Sequence, residues 1–400
     1  MKKIKVLRII SRLNIGGPAI NTILLTAGLD KDKFNTLLIY GRSGIEEGDM
    51  LYYAKENNIE PIFIPELKRE LSFLQDLITF IKIFRIVKRE RPDIIHTHTA
   101  KAGALGRSAG ILYNFLNIFT SKKVRLIHTF HGHIFNGYFN MTKTKIFILI
   151  ERLLALFTSK IITVSETIKE ELIYFRISNK NKIKVIPLGL DLDNFLSIKT
   201  ENNGPDFNIG IVGRLVPIKN HRLFLESASK VIEDNPGMMI RFKIIGDGEL
   251  RKELEDYSYR LKISDSIDFL GWQKELTNIY STLDIVALTS LNEGTPLSLI
   301  EAMASARPVV VTNVGGVKDL LGDKNNSILV EGCGFEILER GIIVKSKNSN
   351  DFASALTFIL KNSDLRKGLS INAREFVSNK FAKERLIKDI ESLYNYLIKY

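Results

Sequence analysis

Short runs of Ile and Val alternate with amphipathic stretches along the whole chain, and this alternation limits the fold more than any other feature. Residues 4–10, 36–40, 61–64, 93–97, 124–129, 160–164 and 184–186 read as strands. Between them, 19–29, 71–89, 102–116 and 143–158 carry helical spacing. Strands that alternate with helices predict a parallel sheet covered on both faces, an α/β architecture. Pro187, Gly189, Asn202, Asn203, Gly204 and Pro205 then punctuate a polar connection, after which the pattern restarts. A second series of strands follows at 208–212, 239–245, 267–270, 285–289 and 309–312, with helices at 221–232, 249–261 and 297–305. Helical patterns at 351–360, 364–379 and 382–398 close the chain.

The expectation is two doubly wound, Rossmann-like domains with parallel sheets facing a ligand cleft, residues 1–190 and 191–380. A final helix, 381–400, packs back on the first domain. Four hundred residues exceed one ordinary core, which agrees with two domains. With 45% hydrophobic and 26% charged residues, the composition is that of a soluble globular chain. A single cysteine, Cys333, excludes a disulfide scaffold and a cysteine-based zinc site and fits a reducing compartment. The longest uncharged apolar stretch, 108–121, has 14 residues and is too short to span a bilayer. Lys5 and Arg8 break the apolar start, which makes it a poor signal peptide and suggests a cytoplasmic protein.

Charge is distributed unevenly. The formal net charge is +12, yet residues 1–190 hold 30 Lys and Arg against 16 Asp and Glu, whereas the remaining 210 hold 27 against 29. All the positive excess lies in the first half. That half therefore suits a polyanionic partner: nucleic acid, a membrane surface or a phosphorylated ligand.

Open α/β sheets bind ligands where their parallel strands end, and four such segments carry informative residues. Gly16 and Gly17 follow the first strand and precede a helix, so backbone can approach an anion there; a plain tight turn is the alternative. Arg214 and Lys219 flank one loop after the first strand of the second domain. They could clamp a diphosphate, Arg as a fork and Lys as a point charge, or be ordinary surface cations. Gly246-Asp247-Gly248 resembles half a dinucleotide turn, but Arg251 stands where the pattern needs glycine. The segment 292–303 is the most informative. Thr295 suits a helix N-cap and Pro296 the first helical position, so Gly294, Thr295, Pro296 and Leu297 form a helix start with free amides. Glu293 lies just outside that helix, and Glu301 lies inside it among Ile300, Ala302 and Met303. Ionised carboxylates only accept hydrogen bonds, which suits hydroxyl-rich ligands. Five of six histidines fall between His96 and His133, read as a polar strand-end cluster facing the cleft rather than a metal site.

In this order the segments resemble the retaining glycosyltransferases of family 4, which have the GT-B fold. The resemblance rests on the Gly16-Gly17 loop, residues 96–107, Thr129-Phe130-His131-Gly132, Val164-Ser165 and residues 187–191. It continues through residues 213–219, Gly246-Asp247-Gly248, Phe269-Leu270-Gly271-Trp272, the Glu293/Glu301 pair, residues 309–312 and Gly315-Gly316. Ala306, where the family usually has Gly, and an insertion-like stretch at 331–340 are departures.

The resemblance implies a metal-independent hexosyltransferase without a cofactor. It would transfer sugar from a nucleotide diphosphate, UDP on family frequency, to a lipid-linked or saccharide acceptor in bacterial-type polysaccharide assembly. Arg214 and Lys219 would neutralise the leaving diphosphate, with Gly16, Gly17 and the amides of 294–297 beside it. Glu293 would bind donor-sugar hydroxyls, Glu301 the ribose hydroxyls, His131 the sugar near the reacting centre, and backbone at Phe269–Trp272 and Gly246 the nucleotide. An epimerase of the same fold is one alternative. A nucleic-acid-binding protein is another, suggested only by the basic half and unsupported by any aromatic or zinc-finger motif. Segments 67–91 and 133–145 mix cations with Leu, Ile, Phe135, Tyr138 and Phe139, which suggests peripheral contact with the anionic inner face of the plasma membrane.

Overall fold

The computed structural model describes residues 2–44, 48–119, 123–132, 141–199, 206–322, 328–330 and 332–399, with backbone alone at 141–143. The chain forms two units, Met1–Leu190 with Ala382–Tyr400, and Asp191–Phe381.

In the first unit the strands are β1 (Ile4–Ile10), β2 (Phe34–Gly41), β3 (Ile62–Ile64), β4 (Ile94–His98), β5 (Arg125–Phe130), β6 (Lys160–Thr163) and β7 (Ile183–Val185). They make one sheet in the order β3-β2-β1-β4-β5-β6-β7, parallel throughout. Helices α1 (Gly17–Gly28), α2 (Leu51–Glu56), α3 (Phe73–Glu90), α4 (Ala100–Leu116), α5 (Met141–Phe157) and α6 (Glu166–Tyr174) connect them. The sheet order steps outward from β1 in one direction, then crosses back to β4. The ends of β1 and β4 thus flank the reversal point where such sheets take ligands.

The second unit repeats the scheme. After α7 (Asp193–Leu196) come β8 (Phe207–Val212), α8 (His221–Asp234), β9 (Ile240–Ile245), α9 (Arg251–Arg260), β10 (Ile267–Gly271), α10 (Leu276–Ser281), β11 (Ile285–Leu288), α11 (Leu297–Ala304), β12 (Val309–Thr312) and α12 (Val317–Leu321). Then follow β13 (Ile328–Leu329), β14 (Phe335–Leu338), β15 (Gly341–Val344), α13 (Ser349–Lys361) and α14 (Ser363–Lys380). The order is β10-β9-β8-β11-β12-β15-β14-β13. β15 still pairs parallel with β12, but beyond it the sheet is no longer all parallel: β14 turns back on β15 and β13 on β14, both antiparallel. The stretch that looked like an insertion is this edge hairpin. Its Phe335 and Leu338 are buried, so it belongs to the core and not to a loop.

The terminal helix α15 (Lys383–Lys399) belongs to the first unit. Leu386, Ile390, Leu393, Tyr394 and Leu397 fall on one helical face and are buried among Val6, Leu25, Leu29, Ile94, Ile127 and Ile162. Arg385 ties its start down by donating to the carbonyls of Pro187 (2.8 Å) and Leu188 (2.6 Å).

Candidate active site

In the second unit the strand-end loops are joined by backbone bonds, and this fixes the side chains they carry. Leu291 N donates to Ile218 O (2.8 Å) and Thr289 Oγ1 to Lys219 O (3.0 Å), binding the loop after β11 to the turn after β8. Gly316 N donates to Glu293 O (3.1 Å), adding the loop after β12. Gly315 has φ +46, and a Cβ there would sit 1.9 Å from Glu293 O, so no other residue fits without moving Glu293. On the other side, Gly246 N donates to Gly271 O and Gly213 N to Ile245 O, both 2.9 Å. Gly246 has φ +133, and its missing Cβ leaves room for Gly213 O. Arg251, the residue that breaks the dinucleotide pattern, is part of this fastening. It bonds Asp247 (3.1 Å) and the Phe269 carbonyl (3.3 Å).

The result is a cluster of charge at the ends of β8 and β11. Lys219 Nζ donates to Glu293 Oε1 at 2.5 Å, and Ser290 Oγ donates to the same oxygen at 2.6 Å. Both bonds fall on Oε1; Oε2 has no partner among the described residues. Arg214 is exposed and its side chain likewise has no partner among them. Helix α11 starts one residue later than the sequence suggests. Pro296, not Thr295, is the N-cap, Leu297 is the first helical residue, and no side chain caps the end. Leu299 and Ile300 amides reach the Pro296 carbonyl (3.2 and 3.4 Å), while the amides upstream are the orphan donors of a helix start. Trp272 is half-exposed just beyond β10.

Glu301 lies deeper. It is buried, and the hydroxyl of Tyr280 lies 3.0 Å from both its Oε2 and the Ser298 carbonyl. Burial pushes the Glu301 carboxyl up to about 7, an effect that the Tyr280 bond only partly offsets. Next to Lys219, His221 is buried with neither ring nitrogen bonded among the described residues, and burial with the Lys219 charge lowers its pKa to about 4.

In the first unit three of the histidines expected in a cleft-facing cluster are instead interior, while His133, like Phe135, Tyr138 and Phe139 of the segment expected at a membrane, lies outside the described residues. Strand β4 is central and covered on both faces, so His96 and His98, and His128 on β5, are fully buried. Burial holds all three well below the usual imidazole range. His96 contacts Tyr394 Oη (2.6 Å) and Thr129 Oγ1 (2.7 Å); Arg8, also buried, donates to Tyr394 Oη (3.2 Å). His98 Nδ1 meets His131 Nε2 at 2.9 Å. His131 is only partly covered, and its pKa falls to about 4, so it is neutral at pH 7. Among the described residues no three His, Cys, Asp or Glu group as a metal site. Gly16 precedes α1, and a Cβ on it would meet nothing closer than Pro18 at 4.0 Å, so that backbone is open. Just after β4, Thr99 holds φ 67, a strained value for a β-branched residue, pinned by Ser11 through a 2.7 Å hydroxyl contact.

The description "Glycosyltransferase Family 4" matches residues 15–194, and "Glycosyl transferases group 1" matches 194–376. An Escherichia coli UDP-Gal:alpha-D-GlcNAc-diphosphoundecaprenol alpha-1,3-galactosyltransferase is 30% identical over 363 residues, 87% of each chain. The chain belongs to glycosyltransferase family 4. A further relative of this glycosyltransferase is the capsular polysaccharide biosynthesis protein CapM of Staphylococcus aureus, 25% identical across 86% of this chain and 87% of that one. Its fold is that of the Anabaena protein Alr3699/HepE, solved with UDP, at a TM-score of 0.77 and 19% identity over 98% and 100% of the two chains. These matches favour a transferase over the epimerase reading.

Within the glycosyltransferase's second unit, Lys219, Glu293 and the start of α11 come together, while Arg214 has no side-chain partner among the described residues and Glu301 lies further along α11. Two contacts escape the sequence reading. Ser290 and Tyr280 act through hydrogen bonds to the two carboxylates. Ser290 lies three residues before Glu293, a local signal; Tyr280 gives none.

Proposed function

We propose that this glycosyltransferase takes a nucleotide-diphosphate sugar, with UDP as nucleotide, and transfers a hexosyl group with retention to a lipid-diphosphate-linked or saccharide acceptor. The observation that carries the reading is the Lys219–Glu293 pair beside the uncapped start of α11, with the exposed Arg214 on the same loop. As the bond from the anomeric carbon to the diphosphate breaks, negative charge gathers on the leaving oxygen. Lys219, Arg214 and the amides of Gly294, Thr295 and Leu297 are fixed charges and dipoles that stabilise it. Glu293 Oε2 accepts from the sugar hydroxyls, Glu301 from the ribose, and neutral His131 contacts the sugar. The backbone at Gly16, Gly17, Gly246 and Trp272 completes donor binding. The acceptor hydroxyl attacks from the face that the diphosphate leaves, and its proton passes to the departing phosphate. In this reading the cations Lys219 and Arg214 do the work of a metal ion on the diphosphate. The relatives support this reading: one is described as acting on a diphosphoundecaprenol-linked sugar, and CapM belongs to capsular polysaccharide synthesis. A lipid-linked acceptor would place the basic first unit against an anionic membrane, where each cation contributes about 1 kcal/mol.

The test joins calorimetric titration of UDP- and other nucleotide-sugars with turnover on a lipid-diphosphate sugar. Binding of a UDP-sugar is expected, and Lys219→Ala should lower turnover roughly 100- to 1000-fold. Unchanged turnover at saturating donor would remove Lys219 from the diphosphate site.

A further inference from the structure

Helix α5 is inverted for a helix that faces only water. Its one acidic residue, Glu151, is buried, held by both oxygens on Arg107 Nη2 at 2.8 and 2.7 Å. Ile146, Leu149, Ile150, Leu153, Leu156 and Phe157 are between 41% and 71% exposed. Those positions follow i, i+3, i+4, i+7, i+10 and i+11, a single stripe along a helix about 25 Å long. The stripe is extended by the end of α4, which packs against α5. Both helices run from the carboxyl end of one strand to the amino end of the next, so their last turns reach the same sheet edge. There Phe115 and Leu116 are exposed, and Phe119 just beyond them wholly so. An apolar face of this extent on a single chain marks a contact surface.

Charge selects the occupant. Between Asp93 and Glu151 the sequence has seven Lys and Arg and no acidic residue at all. Lys123, Lys145 and Arg152 stand exposed around the stripe. Two copies of such a face would bring like charges together, whereas an anionic lipid surface satisfies both the apolar stripe and its cationic rim. Helix α3 differs. Its exposed apolar residues share their end with mixed charge, Glu70 and Asp76 beside the exposed Arg69, and its own exposed cations Arg85, Lys88 and Arg89 lie at the other end.

We propose that α5, with the end of α4, lies in the plane of an anionic bilayer and is the element that holds this glycosyltransferase on the membrane. This rests on the reading of the first unit as membrane-facing and names the surface. The test is co-sedimentation of the full chain with vesicles of phosphatidylcholine alone or mixed with phosphatidylglycerol. The wild type, a Leu149→Glu/Leu153→Glu pair on α5 and a Leu74→Glu/Leu77→Glu pair on α3 are compared. The wild type should partition to the mixed vesicles, the α5 pair about tenfold or more weaker, and the α3 pair within about twofold of wild type. A Leu153→Trp variant should show a blue shift in emission on mixed vesicles beyond that of the wild type, independently of how the acidic pair folds. If the wild type binds and the α5 pair binds equally, the assignment of the surface is wrong while the membrane reading stands. If the wild type ignores anionic vesicles, the membrane reading itself fails. If the wild type self-associates and the α5 pair does not, the occupant is a second copy and the proposal is overturned.

Discussion

Glu301 is a buried carboxyl whose proposed role in binding is tied to its cost in stability. Its pKa rises from an ordinary value near 4.5 to about 7 because burial penalises the charged form. Between those values the folded state holds a proton that the unfolded state has lost, so this group costs stability as pH rises. By pH 8 the cost is about 3 kcal/mol. In the proposed role, accepting two ribose hydroxyls requires the ionised form, so UDP affinity should rise as pH passes 7. Glu301→Gln should flatten that rise, weaken UDP binding and raise the urea midpoint at pH 8. Calorimetry and urea titration at pH 6 and 8 decide it; an unchanged pH slope in the variant would assign the ribose to another group.

At the scale of elements, the donor-side residues are set by loops held to one another rather than by the helices that follow. Glu293 is the common point, with its side chain on Lys219 and Ser290 and its carbonyl on Gly316 N. Gly315→Ala must push a Cβ toward that carbonyl in a left-handed backbone. A loss of about 1–3 kcal/mol in stability is expected, with a fall in turnover beyond what the folded fraction explains. Gly237→Ala, where a Cβ meets open space, is the control and should change neither. Thermal unfolding and initial rates of both variants give the answer. Equal activity for the two would mean that the loop after β12 does not position Glu293.

Over the whole molecule the two units should respond to acid to different extents. His96, His98, His128 and His131 of the first unit all have depressed pKa values, His131 to about 4. They contribute stability above the ordinary value of 6.5 that is lost as pH falls below it, because the unfolded chain takes up the protons. The second unit has one such histidine, His221, and its loss is countered by Glu301, whose protonation on acidification stabilises the fold. The only tryptophan, Trp272, lies in the second unit and reports that unit alone. Acidification from pH 7 to 5 should therefore reduce far-ultraviolet circular dichroism before Trp272 fluorescence changes. Coincident transitions would show that the units unfold together.

Sequence alone determined the strand and helix alternation, the restart after Pro205 and hence two doubly wound sheets, because a 2-residue or 3.6-residue period depends only on neighbours along the chain. It also marked Arg214, Lys219, Glu293 and the start of α11, since turn and helix-start residues act locally. It misread whatever depends on depth. His96, His98 and His128 look like a polar cluster open to ligand because strand alternation tells which side a residue takes and not how thick the layer above it is. The hairpin β14–β15 looked like an insertion because its polar neighbours hide two buried strands. The exposed α5 stripe went unmarked within the helical spacing of 143–158, since an apolar period is the same whatever covers it. Tertiary structure alone decided that Tyr394 meets Arg8 and His96, 386 and 298 residues away, and that Tyr280 meets Glu301. Such pairs have no spacing to detect, because they exist only once separate elements have packed.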